Sequence, residues 1–232
     1  MTQKSSELLL CCTDVTFPLK SEAMRGTMTN SPAMAIRRAE PRSFLHVSDL
    51  PGTKEAARKA ASRAALSGEL VHVRRGLYFK APGATRYGPV KPRVEEVVRE
   101  IFKASNSGFG PAGYSAAQSL GLTTQVPAKF EASALRKADP SLPGVVLHVR
   151  SNLARAALNE QEIAVLEVLR SPEHFVEGGM TRLARKVSEL SAARVLRLSA
   201  INKASAGETG VVKVNYERLL AALKSPTLKS AA

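Results

Sequence analysis

Small and charged residues follow one another with helical spacing over residues 54–67. Alanines recur every three or four positions and would form one packing stripe on a helix. Three cations lie away from that stripe: Arg58, Lys59 and Arg63. Thr53 stands where an N-cap residue belongs, and Gly68 stands where a left-handed residue ends a helix. The pattern therefore predicts a helix over residues 54–67 whose charged side chains reach outward.

Residues 70–80 alternate between apolar and polar side chains and break at Arg75 and Gly76. Alternation on both sides of a glycine turn predicts a β-hairpin. Upstream, Ser31 and Pro32 have the order of a helix cap and a first helical residue. A short element over residues 47–52 would then precede the longer helix. This succession predicts a winged helix-turn-helix, with the hairpin as its wing.

The second half of the chain combines helical and strand patterns. Valine, isoleucine and phenylalanine recur at helical spacing over residues 92–104, and Gly121 would end a short helix over residues 114–120. Two strands are predicted at residues 129–134 and 145–150. Further helices are predicted at residues 160–169, 180–190, 193–203 and 216–224. We therefore expect an α+β protein with an N-terminal winged helix-turn-helix followed by a mixed, helix-rich α/β C-terminal domain.

Composition shifts divide the chain into three parts. Residues 1–30 lack helical or strand periodicity and are predicted to be a flexible leader. Residues 31–90 would form the winged-helix DNA-binding domain, which ends in a segment rich in proline and glycine. Residues 91–232 would form the C-terminal domain.

The chain carries 34 Lys and Arg against 20 Asp and Glu, a formal net charge of +14. Such a charge favours a polyanionic partner: nucleic acid, an acidic protein or an anionic membrane. A membrane is the least favoured, because no apolar run approaches the roughly 20 residues that span a bilayer. The apolar run around Cys11 and Cys12 is too short for a signal peptide, so we expect a cytoplasmic protein. The adjacent cysteines and dispersed histidines suggest neither a disulfide nor a metal site, and no cofactor is predicted.

Two segments of the sequence are similar to a known family. Residues 113–127, reading GYSAAQSLGLTTQVP, follow a wing that reads RGLY from Arg75 to Tyr78. Together they resemble the AbiEi family, antitoxins of bacterial type IV toxin–antitoxin systems, over about residues 44–151. The resemblance implies a protein that binds operator DNA of its own operon through the N-terminal domain. It also implies that the C-terminal domain neutralises a cognate toxin of the nucleotidyltransferase type.

The residues that would carry these functions are cationic. On the helix, the predicted groove-facing residues are Arg58, Lys59 and Arg63. The predicted backbone or wing contacts are Arg74, Arg75 and Lys80. A second basic concentration contains the candidate toxin-binding residues: Arg182, Arg185, Lys186, Arg194, Arg197 and Lys203. A solvated helical face explains that second set equally well.

Two alternative functions stay open at this point. No Walker loop, GxSxG elbow or kinase glycine loop occurs, so catalytic residues are unknown. An atypical protein kinase that phosphorylates the toxin would escape these motifs and would need ATP and Mg²⁺. The segment most relevant to this kinase alternative is residues 207–215. For it we predict a turn that leads into a short strand. The other alternative is a plain winged-helix transcriptional regulator whose C-terminal domain dimerises or senses a ligand.

Overall fold

A computed structural model of the chain describes residues 31–86, 88–103, 108–137 and 142–225. The elements are mixed helices and strands, which confirms the α+β class. The chain divides into two compact units, the first ending at Lys91 and the second beginning at Pro92. The predicted leader, residues 1–30, lies outside the described residues. None of the described helices is both long and apolar enough to cross a membrane.

The N-terminal unit combines short helices with a three-stranded sheet. Its described elements are, in order, α1 (Pro32–Arg38), β1 (Phe44–His46), a 3-10 turn (Val47–Asp49), α2 (Lys54–Leu66), β2 (Leu70–Arg74) and β3 (Leu77–Lys80). The strands pair antiparallel in the order β1-β3-β2. A small antiparallel pair follows, made of β4 (Ala84–Thr85) and β5 (Gly88–Pro89).

Local sequence explains the bounds of α2. The Thr53 hydroxyl accepts a hydrogen bond from the backbone N–H of Ala56, and Gly68 adopts the left-handed φ of +78° that ends the helix. Three alanines of the stripe are buried, Ala57, Ala61 and Ala64, and the last two pack with Ile36 of α1 and Leu70 of β2. The predicted helix and hairpin are thus both present, within one residue of their expected ends.

The C-terminal unit contains a second sheet and most of the helices. Its described elements are α3 (Val94–Lys103), β6 (Gly110–Pro111), α4 (Gly113–Ser119), β7 (Phe130–Ala134), β8 (Val145–Val149), a 3-10 turn (Leu153–Ala157), α5 (Glu160–Val168), α6 (Pro172–Phe175), α7 (Gly179–Ala192), α8 (Leu198–Ser205) and α9 (Gly210–Lys224). The strand order is β6-β7-β8, with β6 antiparallel and β8 parallel to β7. Helix α5 is buried from Glu162 to Val168 and lies at the centre of the core.

Most predicted helices of this unit are present with ends moved by two residues or fewer, but two predictions were wrong in part. The helix expected over residues 193–203 begins only at Leu198, because α7 ends before Arg194, which has a left-handed φ of 58°. Residues 207–215 do not lead into a strand. They form a turn and then the start of α9, whose buried residues are Val212, Asn215, Tyr216 and Leu219. That spacing is helical, and it outweighs the strand preference of the exposed valines.

Candidate nucleic-acid interface

The outer face of α2 presents the cations predicted to face a DNA groove. Arg58, Lys59 and Arg63 are all exposed, because the buried alanines occupy the opposite side of the helix. Lys59 pairs with Glu55 one turn earlier at 2.7 Å, and both side chains are largely exposed. Such a surface pair contributes at most about 0.5 kcal/mol and is easily exchanged for another partner. Among the described residues, Arg58 and Arg63 form no ion pair.

An open cleft of 740 Å³ lies between α2 and the sheet of the N-terminal unit. Three cations line it, Lys54 and Arg58 from one face of α2 and Arg75 from the hairpin turn. The other side chains around it are His46, Val47, Ser48, His72 and Tyr78. No carboxylate is among the described residues that line the cleft. The cleft is therefore a concave surface of one charge sign, a form that concentrates anions.

The predicted wing residues on the β2–β3 hairpin differ in their exposure to solvent. Gly76 has a φ of +79°, which allows the tight turn between β2 and β3, and Arg75 is exposed beside it. Arg74 is only partly exposed, next to an irregularity in the register of β2 and β3. Tyr78 faces the cleft and contacts His72 edge-on, with ring centroids 5.1 Å apart. Of the wing cations, Arg75 is the one that solvent reaches most freely.

The structure does not present Lys80 to a ligand. This side chain is buried, and its Nζ donates to the Glu69 carboxylate and, at 3.0 Å, to the backbone carbonyl of Ile36. Lys80 lies at the end of β3, where it joins the strand to α1. The prediction that Lys80 contacts DNA is therefore corrected. Its ammonium is buried and paired within the unit, so it is not available to DNA phosphates.

The candidate toxin-binding cations of the C-terminal unit also differ in exposure and in ion pairing. Arg185, Arg194 and Lys203 are exposed, and within the described residues they form no ion pair. Arg182 and Lys186 are engaged in surface contacts with Glu177 and Glu189. The candidate set therefore contains three cations that are free to meet an acidic partner and two that would first exchange a partner.

Arg197, the sixth candidate, is bound to a buried carboxylate. Its Nε and Nη2 donate to the two oxygens of Glu162 at 2.8 and 2.7 Å, and Nη2 also reaches the carbonyl of Ala157 at 2.8 Å. Burial acts to raise the pKa of Glu162, but hydrogen bonds from Arg197 and from the Asn159 backbone outweigh it and lower the pKa. Arg197 therefore anchors α8 to α5, but its side chain stays 55% exposed, and an acidic partner would have to compete with Glu162 for it.

A buried ionic network in the C-terminal unit was not predicted from the sequence. Arg155 is completely buried, and it donates through Nε to Glu208 and through Nη1 to Glu167, both at 2.6 Å. Arg150 holds Glu167 with two further hydrogen bonds, and Arg170 reaches Glu208 at 2.8 Å. The partners of Arg155 are 12 and 53 positions away in sequence, too far apart for any local pattern. The one local signal is Glu167, which interrupts the apolar run of residues 163–169.

The arginines keep both carboxylates of this network ionised. Burial acts to raise the pKa of Glu167, but hydrogen bonding by Arg150 and the charges of Arg155, Arg150 and Arg170 lower it. Glu208 follows the same balance, since burial raises its pKa and Arg155 and Asn152 lower it by more. The network thus contains three guanidinium groups and two carboxylates.

Comparison with known proteins gives a partial match to a family profile and a similarity to a solved structure. No curated protein matches the chain. A crystal structure of the RV2827C protein from Mycobacterium tuberculosis is similar at a TM-score of 0.48 and 17% identity, covering 88% of this chain and 80% of that one. Residues 34–134, from α1 to the end of β7, match the profile of a family of unknown function, DUF6088.

Proposed function

We propose that the protein is an antitoxin-type regulator that binds DNA through its N-terminal unit. In this proposal the unit acts as a winged helix, with α2 as the recognition helix and the β2–β3 hairpin as the wing. The order of its elements and the strand order β1-β3-β2 support this assignment. Helix α2 has 13 residues, a length of about 20 Å, and a helix of that kind fits the major groove, which is about 12 Å wide.

The observation that carries the proposal is the single-sign charge of the cleft. Lys54, Arg58 and Arg75 line a concave surface, and no carboxylate is among the described residues around it. Arg63 adds another exposed cation on α2. Cations placed in this way can neutralise phosphates and release their counterions, which supplies much of the affinity of DNA-binding proteins. Arginines on a helix in the major groove can also bind guanine through two hydrogen bonds.

The proposed DNA contacts can be tested by removing equal charge from two places. We would compare Arg58→Ala/Arg63→Ala/Arg75→Ala with the control Arg185→Ala/Arg194→Ala/Lys203→Ala, which removes three exposed cations from the C-terminal unit. Binding to a labelled duplex from the region upstream of the gene would be followed by fluorescence anisotropy. We expect the first variant to bind at least about a hundredfold more weakly and the control to stay within about threefold. Equal losses in both variants would contradict the proposal.

The resemblance to AbiEi proteins supports the second part of the proposal, in which the C-terminal unit neutralises a toxin. The exposed Arg185, Arg194 and Lys203 provide a cationic surface that an acidic partner could dock against. We would co-express each triple variant with the toxin. Loss of protection in the C-terminal variant, with protection retained in the DNA-contact variant, is the expected result. An unchanged intact mass of the toxin after incubation with ATP and Mg²⁺ would separate neutralisation by binding from phosphorylation.

A further inference from the structure

An apolar pocket lies between α3 and β8 in the C-terminal unit. It measures 260 Å³, and a single cation, Lys137, stands among the described residues that line it. All the others are apolar: Val98, Phe102, Leu142, Val145, Leu147 and Val149. No carboxylate belongs to the described part of the lining. The pocket therefore offers apolar walls and one positive charge.

The fold explains why the walls of this pocket are apolar. Alternation along β8 turns Val145, Leu147 and Val149 to the same face of the sheet. That face packs against α3, whose Val98 and Phe102 are buried. Val145 and Leu147 keep part of their surface open, and Val149 is 45% exposed. A ligand would thus contact aliphatic side chains of β8 and enter beside Val149.

The volume of the pocket limits the size of its ligand. An apolar cavity of about 150 Å³ holds benzene, so 260 Å³ holds an apolar body of roughly ten carbon atoms. Pockets for drug-sized ligands measure about 300–1,000 Å³. Apolar walls that face no partner atoms forgo dispersion contacts, and an apolar body that enters the pocket also leaves water. Size and lining together favour a small ligand with an apolar body.

Lys137 adds charge selectivity to these walls. It is exposed, and it forms no ion pair within the described residues. A lysine ammonium is a compact charge on a flexible stem, so it can meet a carboxylate at the rim of the pocket. Arg136 places a second cation nearby, with its guanidinium carbon 5.1 Å from the centre of the Phe102 ring. These charges favour an acid over a neutral ligand, and the net charge of +14 disfavours a second copy of this chain as the occupant.

We propose that this pocket binds a small amphiphilic carboxylate. The apolar body of the ligand, with roughly ten carbon atoms, lies between α3 and β8, and its carboxylate pairs with Lys137. The body is either an alkyl chain or an aromatic ring on a short linker, and the experiment separates these two. The site lies within the C-terminal unit and does not depend on the proposed binding of DNA.

Two pairs of variants of the full-length protein test the site. Val149→Phe enlarges a side chain that lines the pocket, whereas Val146→Phe adds the same ring on the opposite face of β8, where the valine is 38% exposed. Both valines are partly exposed, so both variants should fold. Lys137→Gln removes the cation of the pocket, and Lys203→Gln removes an exposed cation of α8 that does not line it.

Calorimetry at pH 7 and constant ionic strength would measure the binding of two acids and their neutral amides. Octanoate carries its carboxylate on an alkyl chain, and 3-phenylpropanoate carries it on a ring with a short linker. Octanamide and 3-phenylpropanamide keep the same bodies without the charge. The acid that binds wild type more tightly identifies the apolar body. We expect that acid to bind about three- to fivefold more tightly than its amide, the gain from one exposed ion pair.

The two pairs of variants should separate the pocket from general attraction to a basic protein. Val149→Phe should weaken binding of the preferred acid at least about tenfold, and Val146→Phe should stay within about twofold. Lys137→Gln should lose the preference for acid over amide, and Lys203→Gln should keep it. Equal effects within either pair would overturn the proposed site. So would no binding of either acid at millimolar concentration, which would leave the pocket to a side chain of a protein partner.

The affinity for DNA should be the same in all four variants, because none of them changes the N-terminal unit. The two proposals therefore fail independently.

Discussion

Arg197 holds both carboxylate oxygens of Glu162, with Nε 2.8 Å from Oε1 and Nη2 2.7 Å from Oε2. Glu162 belongs to the capping box of α5, where it also accepts a hydrogen bond from the backbone N–H of Asn159. Arg197 is the N-cap residue of α8. The pair therefore fastens the start of one helix to the start of another, across 35 positions of sequence.

Because of this pair, the free energy of unfolding should fall as the pH becomes acidic. The pKa of Glu162 is lower in the folded protein than its ordinary value, so its contribution is present above the unfolded pKa, about 4.3, and is lost as pH falls through the folded pKa. Arg197→Ala should reduce the free energy of unfolding at pH 7, and this deficit should shrink below about pH 4. Urea denaturation between pH 7 and pH 3 measures the difference. A deficit that is constant with pH would contradict the assignment, and Arg185→Ala is the control.

Removing Arg155 should be among the most destabilising single changes in the C-terminal unit. Arg155→Met keeps much of the side-chain volume but leaves Glu167 and Glu208 buried with one partner fewer. Breaking a buried ion pair on one side costs about 3–5 kcal/mol. Chemical denaturation should show a loss of that size. Adding Glu208→Gln to this variant should recover part of it, and no recovery would mean that burial of charge is not the cause.

Lys80→Met should separate stability from DNA binding. The substitution keeps the aliphatic stem but removes the ammonium that joins Glu69 to the Ile36 carbonyl. We expect a loss of about 1–3 kcal/mol in stability, because the buried Ile36 carbonyl loses its donor and Glu69 loses its partner. Measured at a temperature where the variant is folded, its DNA affinity should stay near that of wild type. A large loss of affinity in the folded variant would return Lys80 to the DNA-contacting set.

Gly108→Ala should reduce stability more than Gly121→Ala, although the two glycines have similar backbone angles. Gly108 and Gly121 have φ of +53° and +69°, so each substitution carries the left-handed strain of about 1–2 kcal/mol. A Cβ at Gly121 would meet open space, whereas at Gly108 it would lie 2.9 Å from the Cβ of Arg155 and 3.1 Å from its carbonyl carbon. Thermal unfolding should therefore show a clearly larger loss for Gly108→Ala. Equal losses would mean that the contact with Arg155 relaxes at little cost.

Local pattern was sufficient to predict α1, α2 and the β2–β3 hairpin, but not β1 or the β4–β5 pair. The alanine stripe, the Thr53 cap and the glycines at positions 68 and 76 act on neighbouring residues, so their effect can be seen in a short stretch of sequence. The same reasoning could not show that Lys80 is buried. Its position on an alternating strand is visible in the sequence, but the Glu69 and Ile36 groups that make burial tolerable are known only from the fold.

In the C-terminal unit, local pattern was less informative, because tertiary contacts decide the structure. Residues 207–215 are rich in valine, which favours strands locally, but the packing of Tyr216 and Leu219 selects a helix. The ionic network is invisible in sequence because Arg155 obtains its partners from α5 and from the turn before α9. Charges that stabilise a core through tertiary contacts have no periodic signature.

The salt dependence of DNA binding is the sharpest test for a DNA interface on the N-terminal unit. For duplex DNA, each phosphate contact contributes about 0.9 to the slope of log affinity against log salt concentration. We predict that Arg58→Ala/Arg63→Ala/Arg75→Ala lowers the magnitude of this slope by about 2–3. The charge-matched C-terminal variant, Arg185→Ala/Arg194→Ala/Lys203→Ala, should leave it unchanged. A slope that falls equally in both variants, or only in the C-terminal one, would contradict a DNA interface on the N-terminal unit.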